Sequence, residues 1–403
     1  VSQDALPLND VSLHFLGDEA ILFDRRRQRF YGANASAAFI WSCFEDGMST
    51  DQIIDILADE HGLDPSFARQ SIADVIGQWQ SNSNSNEDRG FAVPQVTPHA
   101  EKLGLSRWNA VTADPDSAAQ LTSTFHARHY RLLDSIFTIR FETMSLLRIV
   151  DELFAHLSAA SRPAGGTVFD LIVHDGGFAI RENGQVLEWC GSYQGVAVMA
   201  KICSIRRALE LSRDFCALHA GLVSRGGKCL LLPGLSGAGK STLVAGLAAA
   251  GFEIWGDDTA VLAAETFLAR PVPCGIGIKP GSWPVLARCY FPDLARAPIH
   301  VRPDGKRVRY LLPPAYKTAA VTMSASVGWI VFPQFEANVQ SELTPLTKAA
   351  ALRRLLPGFV RLGDDLNAAE VAGLVQWIES VDSFDLRLSS LEEAIDVLDQ
   401  LMS

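Results

Sequence analysis

Apolar and polar positions follow two rhythms in the first eighty residues of this 403-residue chain. In VSLHFLGDEAILFDRRRQRFYGAN, short apolar runs are cut by Gly-Asp and Asp-Arg turns, which predicts strands at about Val11 to Leu16, Ala20 to Asp24 and Arg29 to Gly32. The rhythm then becomes helical. SAAFIWSCFEDG from Ser36, TDQIIDILADEHG from Thr50 and SFARQSIADVIGQWQ from Ser66 each space apolar residues three and four apart behind a capping-type residue. A β-β-β-α-α-α domain over residues 1–80 is expected. SNSNSNEDRG, from Ser81 to Gly90, is polar and of low complexity, so residues 81–104 read as a flexible linker.

Beyond the linker, the pattern predicts strands around His129 to Phe141 and a helix around Ser145 to Ser158. A hairpin from Phe169 to Trp189, with turns at Asp175-Gly176-Gly177 and Glu182-Asn183-Gly184, precedes a long helix from Val196 to Asp214. Residues 105–215 are read as the lead-in lobe of a domain spanning 105–403, whose core is 216–403; a separate lobe is the alternative. FDLRLSSLEEAIDVLDQLM at the end gives a strand and a capped helix that should close the sheet. The fold class is α/β.

The most specific motif is Gly234-Leu-Ser-Gly-Ala-Gly239-Lys240-Ser241, a full G-x-x-x-x-G-K-[ST] match between an apolar strand at Cys229 to Leu232 and a Leu/Ala-rich helix at Thr242 to Ala250. In such a loop the backbone N–H groups of Gly234, Ser236, Gly237, Ala238, Gly239, Lys240, Ser241 and Thr242 can cradle phosphates. Lys240 adds a full charge, and Ser241 can hold Mg²⁺. Phe252 to Trp255 reads as the next strand, with Asp257-Asp258 at its exit, seventeen residues after Lys240. One Asp can ligate Mg²⁺ while the other takes a proton from an acceptor hydroxyl. Which does which stays open at this level, and a solvated turn is the alternative.

A histidine before the P-loop strand and an Asp-Asp pair after the P-loop helix resemble the HPr kinase/phosphorylase family, with His219 in LHAGLV and Asp257-Asp258 in WGDDTAVL as the matching residues. The resemblance implies an ATP- and Mg²⁺-dependent phosphotransferase. Its catalytic set would be Asp257, Asp258, Lys240, His219 and Lys279, the last in Ile-Lys-Pro-Gly where such kinases tend to carry a lysine. Metal would fall to Ser241, Asp257 and Asp258. Arg302, Lys306, Arg307 and Arg309 flank a Pro-Asp-Gly turn and are read as mainly solvated. The signature expected for binding HPr and for phosphorolysis is missing from the sequence.

In the first eighty residues, FYGANASAAFIW followed by an acidic-Gly turn resembles the PqqD family of peptide-recognition domains. That resemblance implies a winged-helix-like β3α3 domain that binds the leader of a precursor peptide as an added strand between its third strand and third helix. The peptide-contacting candidates are then Arg29, Phe30, Tyr31, Phe67, Ser71, Asp74, Val75 and Gln78.

Charge narrows the partners. Residues 1–90 hold 6 Lys and Arg against 15 Asp and Glu, and so carry −9 of the net −11. Nucleic acid is an unsuitable partner for such a chain. The exception is Arg25-Arg26-Arg27-Gln28-Arg29, read as a solvated hairpin turn with an acidic peptide as the alternative ligand. A 48% hydrophobic content supports real cores. No apolar run is long enough to cross a bilayer, and VSQDALPLND lacks the features of a secretory signal. Seven cysteines without a C-x-x-C pair read as reduced core thiols, and the nine histidines show no zinc spacing. A cytoplasmic protein is expected, with homo-oligomers possible and no membrane partner.

Together these features predict an ATP-dependent kinase that phosphorylates a serine or other hydroxyl of a ribosomally made precursor peptide, of lasso-peptide type, with leader recognition by residues 1–80. The rivals are an HPr-type protein serine kinase/phosphorylase, a small-molecule kinase, and a non-catalytic ATP-dependent chaperone or sensor.

Overall fold

The computed structural model describes residues 10–59, 64–84, 91–92, 125–160, 166–174, 176–235, 237–312 and 323–403. They fall into two compact units, one of residues 1–94, 346–357 and 364–383, the other of residues 95–345, 358–363 and 384–403.

In the first unit β1 (Val11–Leu16), β2 (Glu19–Asp24) and β3 (Arg29–Ala33) form an antiparallel meander. Three helices follow, α1 (Ala35–Glu45), α2 (Thr50–Asp59) and α3 (Pro65–Asn84). The Asn34 side chain starts α1 by accepting from the Ala37 N–H. Val11, Leu22 and Tyr31 close on Ile40, Trp41, Phe44, Ile53, Leu57, Ile72 and Ile76. These are the positions that the two rhythms assign to the buried side, so the β-β-β-α-α-α expectation and the fold agree.

Two features depart from the sequence reading. Helix α3 runs on to Asn84, and β4 (Phe91–Ala92) pairs antiparallel with β3, Arg29 opposite Ala92 and Phe30 opposite Phe91. The segment read as a linker thus supplies a helical turn and an edge strand; its residues 85–90 and 93–104 lie outside the described residues. The unit also includes two helices from far along the chain, Lys348–Leu355 against β2 and Ala368–Ser380 against β1. Their buried Leu352, Val371, Leu374 and Ile378 give them an apolar face, but nothing local in the sequence says which sheet that face meets.

The Arg25–Arg29 turn is only partly a solvated one. Arg25 and Arg26 reach Asp10 at 3.3 and 3.6 Å, and Arg27 pairs with Asp24 at 2.6 Å. Gln28, at φ 53°, is buried instead. Its amide donates to the Arg25 carbonyl at 2.7 Å and the Leu366 carbonyl at 3.1 Å, while its oxygen accepts from the Leu366 N–H at 2.8 Å.

The second unit begins with a five-stranded sheet of β5 (His126–Leu132), β6 (Ser135–Phe141), β7 (Val168–His174), β8 (Gly177–Glu182) and β9 (Gln185–Cys190), in that spatial order. Helices α4 (Met144–Phe154) and α5 (Tyr193–Glu210) pack with it. Its core, including Tyr130, Phe137, Phe154, Val196 and Ala200, is continuous with Ala217, Val261, Val272, Cys274 and Val360. Arg270 adds a polar tie, reaching both Asp134 and Asp214 at 2.7 Å. The buried residues of the two regions belong to one apolar cluster.

The P-loop portion contains β10 (Cys216–Leu218), β11 (Ala220–Arg225), β12 (Lys228–Pro233), α6 (Lys240–Ala249), β13 (Glu253–Gly256), β14 (Ala260–Leu262), β15 (Ala269–Arg270), β16 (Ile276–Ile278), α7 (Trp283–Cys289), β17 (His300–Val301), β18 (Arg307–Leu311) and β19 (Val327–Phe335). The main sheet runs β13-β11-β12-β19 and continues through strands Asp382–Leu388 and Glu342–Pro345. Only β12 and β19 pair in parallel there among the pairings described. Helix α6 lies against the closing helix Leu391–Leu401 because Gly246 carries no side chain. A Cβ there would come within 2.8 Å of Leu391 and 2.9 Å of Ile395. The sequence-predicted strand and capped helix at the chain's end are both present.

All seven cysteines are free thiols; six are buried, whereas Cys289 is exposed and departs from the core-thiol reading. Among the described residues no helix is long and apolar enough to cross a membrane.

Gln28→Ala removes the only side chain that both donates to and accepts from Leu366 among the described hydrogen bonds, leaving buried backbone groups unsatisfied. The expected cost is about 1–3 kcal/mol, read as a lower urea midpoint.

Burial lowers the pKa of His156, His219 and His300 in the second unit. Below about pH 6.5 the unfolded chain therefore takes up protons that the folded chain refuses. Their stability contribution is present above that pH and is lost as pH falls through the lowered folded values. Asp257, whose pKa is raised, acts in the opposite sense over the same range, so the histidine contribution is read as a difference: from about pH 7.5 to about pH 5.5 the melting temperature of His219→Gln should fall less, or rise more, than that of the parent.

Candidate active site

The second unit assembles the site at the C-terminal end of β12. Gly237 and Gly239 adopt φ 97° and 94°, a left-handed conformation that a side chain would strain, and Gly239 leads directly into α6. The backbone N–H groups at the start of a helix thus face the loop, the arrangement that favours an anion. Of the residues expected to line the loop, Ser236 lies outside the described residues. Thr242 bonds through its hydroxyl to Ser282 at 2.6 Å, which fastens the start of α6 to the segment after Lys279.

Lys240 is buried and its Nζ donates to the Gly234 carbonyl and to His219 Nε2, the latter at 3.2 Å. An Nε2 that accepts leaves the ring proton on Nδ1, which donates to the Asp258 carbonyl at 3.1 Å. Burial pulls the His219 pKa down, with Lys240 and Arg302 adding to that effect against Asp258. The imidazole is therefore neutral at physiological pH. It links the P-loop lysine to the backbone of the acidic pair. Burial also lowers the Lys240 pKa, opposed by Asp258 and Asp257 and assisted by Lys279, whose charge acts on the same site.

The two carboxyls are neighbours in sequence but differ in environment. Asp257 is buried and its Oδ2 accepts from the Gly277 N–H at 2.9 Å. Burial and the Asp258 charge push its pKa up, while the Gly277 N–H, Lys201 and the Ser241 hydroxyl pull the other way. Its Oδ1 is buried without a hydrogen-bond partner among the described residues. Burying such an oxygen is costly, which makes it a candidate donor to a cation. Asp258 is half-buried. Burial works to raise its pKa too, but His219, Lys201, Arg302 and Lys240 outweigh it and hold the carboxyl below the usual range. Asp258 is thus the more readily ionised of the pair.

For a metal, the donors are all oxygen: Asp257 Oδ1, the Ser241 hydroxyl and Asp258. Hard oxygen donors suit Mg²⁺, which takes few protein ligands and completes its shell with water and phosphate. No group of three or more His, Cys, Asp and Glu converges among the described residues. The orphaned Oδ1 satisfies the fit.

The Pro-Asp-Gly hairpin divides. Lys306 pairs with Asp304 at 2.9 Å on the surface, and Arg307 and Arg309 lie over the Trp283 ring at 5.7 and 4.3 Å. Arg302 also pairs with Asp304, at 3.6 Å, yet its charge acts on Asp258 and His219. The sequence reading preferred Lys279 and left Arg302 among the solvated cations. Lys201 it missed altogether. That residue lies in the middle of α5, where only its position on a buried helix face could have given a signal.

In the first unit, Phe30 and Tyr31 are buried, with Phe30 stacked on Phe23 at 4.8 Å. As neighbours on a strand they point to opposite faces of the sheet, and both faces are covered, so the side chains of this expected peptide surface are largely spoken for. Arg29 and Phe30 also form the ladder with β4. On α3, Phe67 is 60% exposed, Asp74 is exposed, and Ser71 and Val75 are half-buried, which leaves one helical stripe open to a ligand. The side chain of Gln78 lies outside the described ones. A cavity of about 380 Å³ opens beside β2 and β3, lined by Ile21, Tyr31, Gly32, Ala349, Leu352 and Arg353 among others.

Residues 19–83 match the family model of coenzyme PQQ synthesis protein D (PqqD), the segment that holds most of the β-β-β-α-α-α region. No curated protein sequence matches the chain. Among solved structures, the chain is similar to the Hpr(Ser) kinase/phosphatase from Coxiella burnetii, at 11% identity over 46% of this chain and 96% of that one, with a TM-score of 0.22. The chain thus joins a PqqD-like segment to a larger α/β unit that carries the P-loop.

Proposed function

We propose that the protein is an ATP- and Mg²⁺-dependent kinase that phosphorylates a hydroxyl, most simply a serine, of a ribosomally synthesised precursor peptide whose leader is held by the PqqD-like segment. The observation that carries the reading is the meeting of a complete P-loop with a buried acidic pair, one of whose oxygens lacks a partner. A P-loop alone is compatible with binding or hydrolysis. An adjacent pair of carboxyls with unequal environments adds the two functions that transfer to a hydroxyl needs.

In this reading the P-loop N–H groups and Lys240 bind the β- and γ-phosphates. Ser241 and Asp257 hold Mg²⁺, since the Ser241 hydroxyl acts on Asp257 and the orphaned Oδ1 belongs to the same carboxyl. Mg²⁺ supplies charge neutralisation at the transferring phosphoryl group. Asp258, kept ionised by its cationic neighbours, orients the acceptor hydroxyl and takes its proton. His219 keeps Lys240 and the Asp258 backbone in register, and Arg302 and Lys279 add positive charge where negative charge develops. Leader capture next to β3 and α3 raises the local concentration of the acceptor segment. The PqqD match to residues 19–83 supports a peptide partner over a small-molecule substrate.

The direct test is mass spectrometry of a candidate precursor peptide incubated with the protein, ATP and Mg²⁺. A mass gain of one phosphate is expected. Lys240→Ala and Asp258→Asn should each lower turnover at least about 100-fold while the fold survives, and Asp257→Asn should also raise the Mg²⁺ concentration needed. Near-normal turnover in all three variants would remove the site assignment.

Peptides truncated before the core segment should show a higher KM with nearly unchanged kcat, because tethering acts through effective concentration and excess substrate replaces it. Steady-state kinetics on full-length and leaderless peptides checks this, and equal KM values would point to a small-molecule kinase.

A further inference from the structure

Lys201 is a buried charge near the acidic pair that the proposed chemistry leaves without a task. Lys201 lies on α5, in the lead-in region, and only 8% of its surface is exposed. A buried ammonium is expensive unless it is paired and hydrogen-bonded, so a fold retains one only where something answers it. Two contacts do so. Its Nζ donates to the Gly275 carbonyl at 3.1 Å and lies 4.7 Å from the centre of the Tyr310 ring. Its charge also acts on both carboxyls of the acidic pair.

Those contacts converge on one short segment. Gly275, held by Lys201, is two residues before Gly277, whose N–H holds Asp257 Oδ2 at 2.9 Å. Gly277 is registered opposite Tyr310 in the β16–β18 ladder, and Tyr310 is the residue whose ring faces Lys201. Ile276 anchors the segment in the core, while the glycines on either side of it offer only backbone to be held. Gly277 lies beside the acidic pair: an added Cβ there would be in ordinary contact with Val308, Tyr310 and Asp257 Oδ2, at 3.4, 3.6 and 3.9 Å. Lys201 holds this backbone at Gly275, and Tyr310, paired opposite Gly277, carries the ring that lies against the same ammonium.

We infer that Lys201 is a positioning residue of the phosphoryl-transfer site: from α5 it clamps the Gly275–Gly277 backbone, thereby aiming Asp257, and it supplies the buried positive charge that lets two adjacent carboxyls share a dry site. Burial would by itself lower the Lys201 pKa. Tyr310, Cys274, Asp258 and Asp257 together raise it instead. Since the Cys274 thiol is itself pushed up to about 11 and burial raises the Tyr310 pKa, the carboxyls are the partners that matter near neutral pH. Lys201 is therefore an ammonium there, and it touches neither nucleotide nor peptide in this role. The residue gives the lead-in region a function that reaches the chemistry.

The inference rests on the kinase reading, and the test separates the two. Lys201→Met removes charge and donor, Lys201→Gln keeps a donor, and Lys201→Arg keeps both. On peptide phosphorylation, Lys201→Met should lower kcat about 100-fold and raise the Mg²⁺ requirement, with the KM for ATP within about twofold of the parent. Lys201→Arg should recover part of kcat, and Lys201→Gln less. A second readout does not depend on turnover: amide hydrogen exchange at Gly277 should speed up in Lys201→Met and stay slow in Lys201→Arg, with α5 itself still protected. Failure of the parent protein to phosphorylate any peptide would count against the kinase reading alone, because the exchange measurement would still report the clamp. Unchanged Gly277 exchange and a kcat within twofold in Lys201→Met would overturn the role of Lys201. Equal losses in kcat, ATP affinity and global protection, with no recovery in Lys201→Arg, would overturn it too, by showing a residue that only supports the fold.

Discussion

Two carboxyls placed side by side in a largely dry site set the terms for the second unit. Asp257 and Asp258 repel each other and lose solvation together, so the surroundings must return positive charge and hydrogen bonds. They come from separate parts of the chain: Lys201 on α5, His219 between β10 and β11, Lys240 at the head of α6, Arg302 after β17 and the Gly277 N–H on β16. Each of those elements must be held in position for the pair to be tolerated. The shared apolar core from Tyr130 to Leu362 and the Arg270 tie to Asp134 and Asp214 provide that hold.

The same constraint makes the two carboxyls unequal. Asp258 sits among cations, and Asp257 is left with a buried oxygen that nothing in the described chain answers. A site that holds one carboxyl ionised and leaves the other waiting for a partner resembles the divided environments by which proteins assign different tasks to identical side chains. His219 connects this division to the P-loop, because one ring nitrogen meets Lys240 and the other meets the Asp258 backbone. The P-loop lysine and the acidic pair are thus mechanically joined.

In the first unit the governing constraint is the open edge of a small sheet. An exposed strand edge attracts other backbones, which suits peptide capture and also invites unwanted pairing. Here the chain's own Phe91–Ala92 lies on part of β3, so an incoming leader that paired at Arg29 and Phe30 would take the place of β4. The sheet's other strands are covered by helices that arrive from residues 348–380. The PqqD-like segment is therefore completed by chain that lies more than 260 residues after its matched end at residue 83.

Sequence alone determined whatever depends on neighbours within a turn or two. The strands at Val11–Leu16, Glu19–Asp24 and Arg29–Ala33 follow from apolar alternation and tight turns, and the P-loop follows from glycines at fixed offsets between a strand and a helix. Asp257 and Asp258 were legible as a pair because they lie just beyond the next strand. What the sequence could not supply was anything set by distant contact. Gln28 looks like one more polar residue in a basic turn until Leu366 is placed against it, and Lys201 looks like a helix lysine until Gly275 and Tyr310 surround it. The helices at 348–355 and 368–380 show apolar faces but not the sheet they cover. The unequal environments of Asp257 and Asp258 likewise belong to the folded chain only. Periodicity and turn chemistry are local, whereas burial, pairing and electrostatic environment depend on which distant residues the closed core brings together.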